Sequence, residues 1–320
     1  MTLDASLLAL RPDPLLHSFI RPRGDAPLAP PAPRLFRRAD GRCGTRNFLG
    51  VVAMDPAAEV MAHAVVDRLT RSGVLEGLDG ALPLAYAPGA ALGSVREQRG
   101  ALDQLLCARS LHPNLGALLL LDSGFPGAAS RRCLRELQSV ICDAVVQLSV
   151  APQATAAFLE QASRTAAGLA RAAARQRRQE SAWSDLVFGV TAPLRADGIG
   201  AGLRAALARL VARGASVVYP QALGSALRID AALPACAYGQ RVVRAGWVPM
   251  AASPLHAEPA PGLVAAGAQL LIDAVGVGAP ANAFSDAVPR LRLPIHRDAD
   301  WSLARIEEAL ASVLPATLHA

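Results

Sequence analysis

The stretch Asp40-Gly41-Arg42-Cys43-Gly44-Thr45-Arg46-Asn47 runs directly into Phe48-Leu49-Gly50-Val51-Val52-Ala53-Met54. Asp40-Gly41 is a turn signal, and Gly44 supplies backbone freedom just ahead of an apolar run. That run reads as a buried strand, and Asp55-Pro56 after it fits a helix N-cap followed by proline at the first helical position. Turn, strand and capped helix in succession open an α/β domain. Upstream, Pro12, Pro14, Pro22, Pro27, Pro30, Pro31 and Pro33 keep the chain extended or turning, so residues 1–35 read as a leader.

Downstream, short apolar runs alternate with amphipathic segments. In the first half, residues 36–180, strands are predicted near 48–54, 81–86, 115–122 and 144–149. Helices are predicted near 56–72, 94–110 and 127–140, the first with Val60, Ala64, Val65 and Leu69 at helical spacing. An alanine- and arginine-rich helix over 152–178 reads as the connector. In the second half, residues 181–320, strands are predicted near 185–191, 216–219, 247–250, 269–275 and 290–295, and helices near 199–213, 259–267 and 302–313. The expected fold class is α/β: two doubly wound, Rossmann-like parallel-sheet halves joined by a long helix. In such sheets ligands bind beyond the carboxyl ends of the strands.

Composition narrows the chemistry. All 32 basic residues are arginine, so lysine Schiff bases and a P-loop lysine are excluded. The net charge of +6 does not make a nucleic-acid stripe, because the arginines are scattered and only Arg171, Arg175, Arg177 and Arg178 cluster, at a predicted helix end. Five cysteines without a Cys-x-x-Cys read as free thiols in a reducing compartment. No apolar run approaches membrane-spanning length and no signal-peptide pattern is present, so a cytoplasmic location and no membrane partner are expected.

The opening run resembles the approach to the main domain of the altronate dehydratase / galactarate dehydratase family, which carries Asp-Gly-Arg-x-Gly-Thr-Arg-Asn before its first strand. His112-Pro113-Asn114-Leu115-Gly116-Ala117 is similar to the family's His-Pro-Asn-x-Gly-Ala. Tyr238-Gly239-Gln240-Arg241, Ala245-Gly246-Trp247 and Ala252-Ser253-Pro254 resemble its Tyr-Gly-Glu-Arg, Pro-Gly-Leu and Ala-Pro-Gly stretch. Ala266-Gly267-Ala268 and Gly276-Val277-Gly278 resemble its Ala-Gly-Ala and Gly-Arg-Gly. The four resemblances fall in order from Leu35 toward the C-terminus. They imply dehydration of a sugar acid, a hydro-lyase reaction that needs a base, an acid or metal for the leaving hydroxyl, and a clamp on the carboxylate. They also imply Fe2+ or a similar divalent metal if the activity is retained, and a small β-rich domain or companion subunit.

The sequence departs from the family where ligands are expected. Residues 86–93, 122–126 and 191–198 lack the family's cysteine-bearing loops, the segment 220–237 is short, and Val277 replaces an arginine. Two functions are therefore carried forward: a divergent sugar-acid dehydratase, or a non-catalytic scaffold or binding subunit of a multi-chain enzyme. Strand ends supply the candidates Asp122, Asp197 and His296 for catalysis, and Arg46, Asn47, Ser123, Thr191, Gly276 and Gly278 for binding substrate. Asp122 is open to a second reading, as a helix cap or loop anchor beside Ser123. His112, ahead of a strand, reads as a turn residue. No cluster at metal spacing is visible, so no metal is expected in the isolated chain, while self-association or a small acidic companion is expected.

Overall fold

The computed structural model describes residues 32–85, 104–122, 133, 135–139, 145–149, 155–192, 201–229, 233–253, 259–275, 288–294 and 305. Strand β3 (Phe48–Ala53) follows the motif, and helix α1 (Pro56–Ser72) follows β3. The Asp55 side chain accepts from the Ala58 amide at 3.0 Å and Pro56 occupies the first turn, as the sequence predicts, and Gly73 closes the helix at φ 69°.

The first sheet adds β4 (Gly80–Leu84), β5 (Leu115–Asp122) and β6 (Val145–Ser149) in the order β4-β3-β5-β6, all parallel. Successive side chains on a strand point to opposite faces, and both faces here are covered. Leu49, Val51, Ala53, Leu119 and Leu121 pack under α1 and α4 (Thr155–Ala173). Val52, Leu118 and Leu120 pack under Leu106 and Cys107 of α2 (104–110), and under Leu137 of α3 (135–139). All eight residues of β5 are buried, which explains its unbroken leucine run.

Helix α4 changes one expectation. It packs on α1, β3 and β5 through Phe158, Ala162, Ala166, Leu169 and Ala170, so it is a layer of the first half. Past it, the chain runs through β7 (Arg178–Glu180) to the second half. Strand β7 pairs antiparallel with β1 (Arg34–Arg37), which also pairs with β2 (Cys43–Gly44), giving a small sheet β2-β1-β7.

The second sheet, also parallel, has the order β10-β9-β8-β11-β12, from β8 (Val187–Thr191), β9 (Ser216–Pro220), β10 (Gly246–Met250), β11 (Leu270–Val275) and β12 (Arg290–Pro294). Leu203, Leu207 and Leu210 of α5 (Ala201–Ala212) cover one face with Phe188, Val217, Tyr219 and Ile272. Leu263 and Val264 of α6 (Pro259–Ala265) cover the other with Val218, Val248 and Leu271. Leu35 and Cys43 join the α5 side, so β1 and β2 belong to the second half's core although they precede the first sheet in sequence. Among the described residues, no helix is long and apolar enough to cross a membrane.

Candidate functional site

In each sheet the strand order reverses once: between β3 and β5 in the first, and between β8 and β11 in the second. Such switch points open a crevice at the carboxyl ends of the strands. Asp122 ends β5 with no solvent exposure, and its Oδ2 accepts from Gln147 Nε2 at 2.6 Å. A charge so placed must be satisfied by polar neighbours, because burial without them is costly. In the second sheet, Thr191 donates its hydroxyl to Asp273 Oδ1, and the two residues face each other in register on β8 and β11. Asp273 is 5 % exposed. It was missed from sequence because it sits inside the apolar run Leu270-Leu271-Ile272-Asp273-Ala274-Val275, where a single acid was the available signal. Asp197, His296, Ser123, Gly276 and Gly278 lie outside the described residues.

Arg46 and Asn47 lie at the other edge, just ahead of β3. Asn47 is fully buried: its Nδ2 donates to Ala173 O at 2.9 Å, its Oδ1 accepts from Arg38 Nη1 at 2.8 Å, and its amide donates to Asp79 Oδ2. Arg46 pairs with Asp79 at 3.0 Å. The structure thus brings Arg46 and Asn47 together with one another but not with Asp122 or Thr191.

The whole motif is a clasp. Asn114 Oδ1 accepts from the Thr45 and Arg46 amides at 2.9 and 3.2 Å. Gly44 leaves the room this requires, since a Cβ there would stand 2.2 Å from the Pro113 carbonyl oxygen. Arg42 binds Asp40 and the Leu111 carbonyl. Arg38 donates to Pro113 O, Arg46 O, Asn47 Oδ1 and Gln176 Oε1. Gln269 Nε2 then reaches Cys43 O at 2.6 Å and Asp185 O at 3.0 Å, tying the clasp to the second half.

His112 completes that tie. Its Nδ1 accepts from the Asn114 amide at 3.1 Å, so Nε2 carries the proton and donates to Ala268 O at 2.9 Å. It is the turn residue expected from sequence, but a buried one. Burial lowers its pKa from 6.5 to about 4, against the opposing pull of the Ala268 carbonyl and with help from Arg42, Arg109 and Arg38. A depressed histidine pKa means that the unfolded chain takes up the proton first. The stability tied to neutral His112 is therefore complete above about pH 6.5 and is lost as pH falls toward 4, by about 3 kcal/mol over the window. His112→Asn should flatten the fall of melting temperature between pH 6.5 and 4 relative to wild type. An unchanged slope would remove His112 as the cause.

A cleft of about 890 Å3 opens at the amino edge of the second sheet, between Arg42, Cys107 and Glu136 on one side and the loop 237–245 on the other. Cys107 Sγ approaches Glu136 Oε2 at 3.6 Å, and the Cys133 and Glu136 neighbours together with burial push its thiol well above the usual range, so it is a poor nucleophile.

Residues 35–174 match the model of the D-galactarate dehydratase/altronate hydrolase family, second domain. That match supports membership of this family over the stretch it covers. No curated protein matches the chain. The D-galactarate dehydratase/altronate hydrolase domain takes in the clasp motif, the first sheet and helices α1 to α4. Its presence supports a sugar-acid dehydratase-like function. Among the described residues, no group of three His, Cys, Asp or Glu side chains is placed to hold the divalent metal that the family resemblance implies.

Proposed function

We propose that the protein is a divergent sugar-acid dehydratase, a hydro-lyase acting on an aldonate or aldarate, with Asp122 as its reacting carboxylate. The observation that carries this reading is the placement of a fully buried acid at the carboxyl end of β5, beside the switch point of a domain from this family. In the reaction, Asp122 takes the proton from the carbon next to the substrate carboxylate. The carbon–oxygen bond at the neighbouring carbon breaks, its hydroxyl leaves as water with a proton from an acid, and the enol formed relaxes to a 2-keto-3-deoxy acid. Thr191 and Asp273 occupy the equivalent position in the second sheet and offer a hydroxyl and a carboxylate for binding polyhydroxy groups. Asp197 and His296, with Ser123, Gly276 and Gly278, follow strand ends in sequence and complete the proposed set, and a divalent metal and a small β-rich companion are part of the proposal where activity requires them.

A second reading, a non-catalytic scaffold or binding subunit, is favoured by one observation: the polar side chains of Arg38, Arg42, Thr45 and Asn47 are all engaged in holding the fold. Incubating the purified chain with a panel of aldonates and aldarates, and assaying 2-keto-3-deoxy acids, separates the two. Product from one substrate is the expected result. Ligand-induced thermal stabilisation without product, with and without added Fe2+, would instead establish the binding subunit.

A further inference from the structure

The cleft at the amino edge of the second sheet is not the crevice at Asp122. Pro113 lines it, and Asp122 lies at the far end of β5, about 23 Å along the strand from Leu115. Its charge balance is uneven. Arg42 is paired with Asp40, and Asp185 faces Arg37 at 3.7 Å. Arg241 and Arg244 also line the cleft, and neither meets a carboxylate among the described residues: Arg244 donates to the Pro234 carbonyl, and Arg241 has no such bond. Glu136 lines the same cleft, and its carboxylate accepts from the Cys107 thiol. Burial disfavours the charge on Arg42, Asp40 opposes that, and Arg241 adds a smaller like-charge repulsion that an anion held in the cleft would relieve.

A second observation points to the ligand's other end. Gln269, 2 % exposed, lines the same cleft, and its Nε2 is fixed by two carbonyls, which sets the direction of its Oε1. That oxygen is buried without a hydrogen-bond donor among the described residues. A buried acceptor left unmatched calls for a donor, and a hydroxyl supplies one without a positive charge.

We propose that this cleft binds a hydroxy-carboxylate, with its carboxylate held by Arg241 and Arg244 and a hydroxyl donated toward Gln269. The choice of ligand rests on the sugar-acid reading above. The location does not, and a ligand held there cannot reach Asp122. It is a second site for acids of the substrate class, which a product or a substrate analogue fills without blocking the reacting carboxylate.

Titration calorimetry on the full chain tests it, using galactarate, succinate (a dicarboxylate without hydroxyls) and inorganic phosphate as probes, each up to about 10 mM. The variants are Arg241→Ala/Arg244→Ala and, separately, Asp122→Asn. Both arginines are exposed, so the double variant should melt as wild type does. Expected are galactarate binding tighter than succinate or phosphate, a Kd raised about tenfold or more in the double arginine variant, and binding retained in Asp122→Asn. The proposal is overturned if no probe binds wild type, if the double variant binds galactarate unchanged, or if Asp122→Asn alone abolishes the binding. Binding that depends on the arginines without any turnover sinks only the dehydratase reading. Turnover without such binding sinks only the cleft.

Discussion

Arg38→Ala is expected to destabilise the protein by about 4 kcal/mol or more, enough to leave much of the chain unfolded at 37 °C. Arg38 is 6 % exposed, and its guanidinium lies over the Phe36 ring at 5.5 Å. It serves four acceptors at once: the carbonyls of Pro113 and Arg46 and the side-chain oxygens of Asn47 and Gln176. Burial lowers its pKa from 12.5 to about 10, with a smaller push from Arg42, so it remains charged at neutral pH and its bonds are charge-assisted. Alanine removes every donor and leaves the Pro113 and Asn47 acceptors buried, at roughly 1–3 kcal/mol each and less than additively, with a smaller loss at the half-buried acceptors of Arg46 and Gln176. Arg38→Lys keeps the charge but not the planar fork, so it should recover only part of the loss. Urea unfolding measures both, and a cost below about 1 kcal/mol for the alanine variant would mean that the clasp does not hold the fold.

Asp122→Asn should lower turnover by about 100-fold or more while changing stability by only about 1 kcal/mol. The amide keeps the volume of the carboxylate, and its oxygen still accepts from Gln147 Nε2, so the end of β5 should hold its place. What is lost is the negative charge that takes the proton. A group that merely anchors the strand end predicts the reverse: a lower melting temperature with kcat unchanged. The ratio of kcat to KM discriminates further, since loss of a base lowers kcat with KM little altered. Thr191→Val, which removes the hydroxyl bound to Asp273, is the companion measurement: a substrate contact raises KM, and a purely internal bond does not.

The local signals in this chain sufficed for the strands of its two parallel sheets and for helices α1 and α5. Phe48–Ala53 and Leu115–Asp122 read as strands because a strand buried on both faces must be apolar throughout, and Asp55-Pro56 read as a helix start because a cap works within one turn. The place of Asp122 was legible for the same reason, as a charge closing an apolar run. Strands β1 and β7 were not legible: Arg34-Leu35-Phe36-Arg37 and Arg178-Gln179-Glu180 carry little alternation, and their pairing joins residues 144 positions apart that only the closed fold brings together. Helix α4 read as a connector because its composition does not say which surface it meets; packing against α1 decided that. The motif around Arg42 announced itself by residue type, and from sequence Arg46 and Asn47 were assigned to substrate. Tertiary structure sets them at the amino edge of the first sheet. There the backbone groups of Pro113, Arg46, Ala173 and Ala268 need donors that no neighbour in sequence supplies, and Arg38, Asn47 and His112 provide them across the fold.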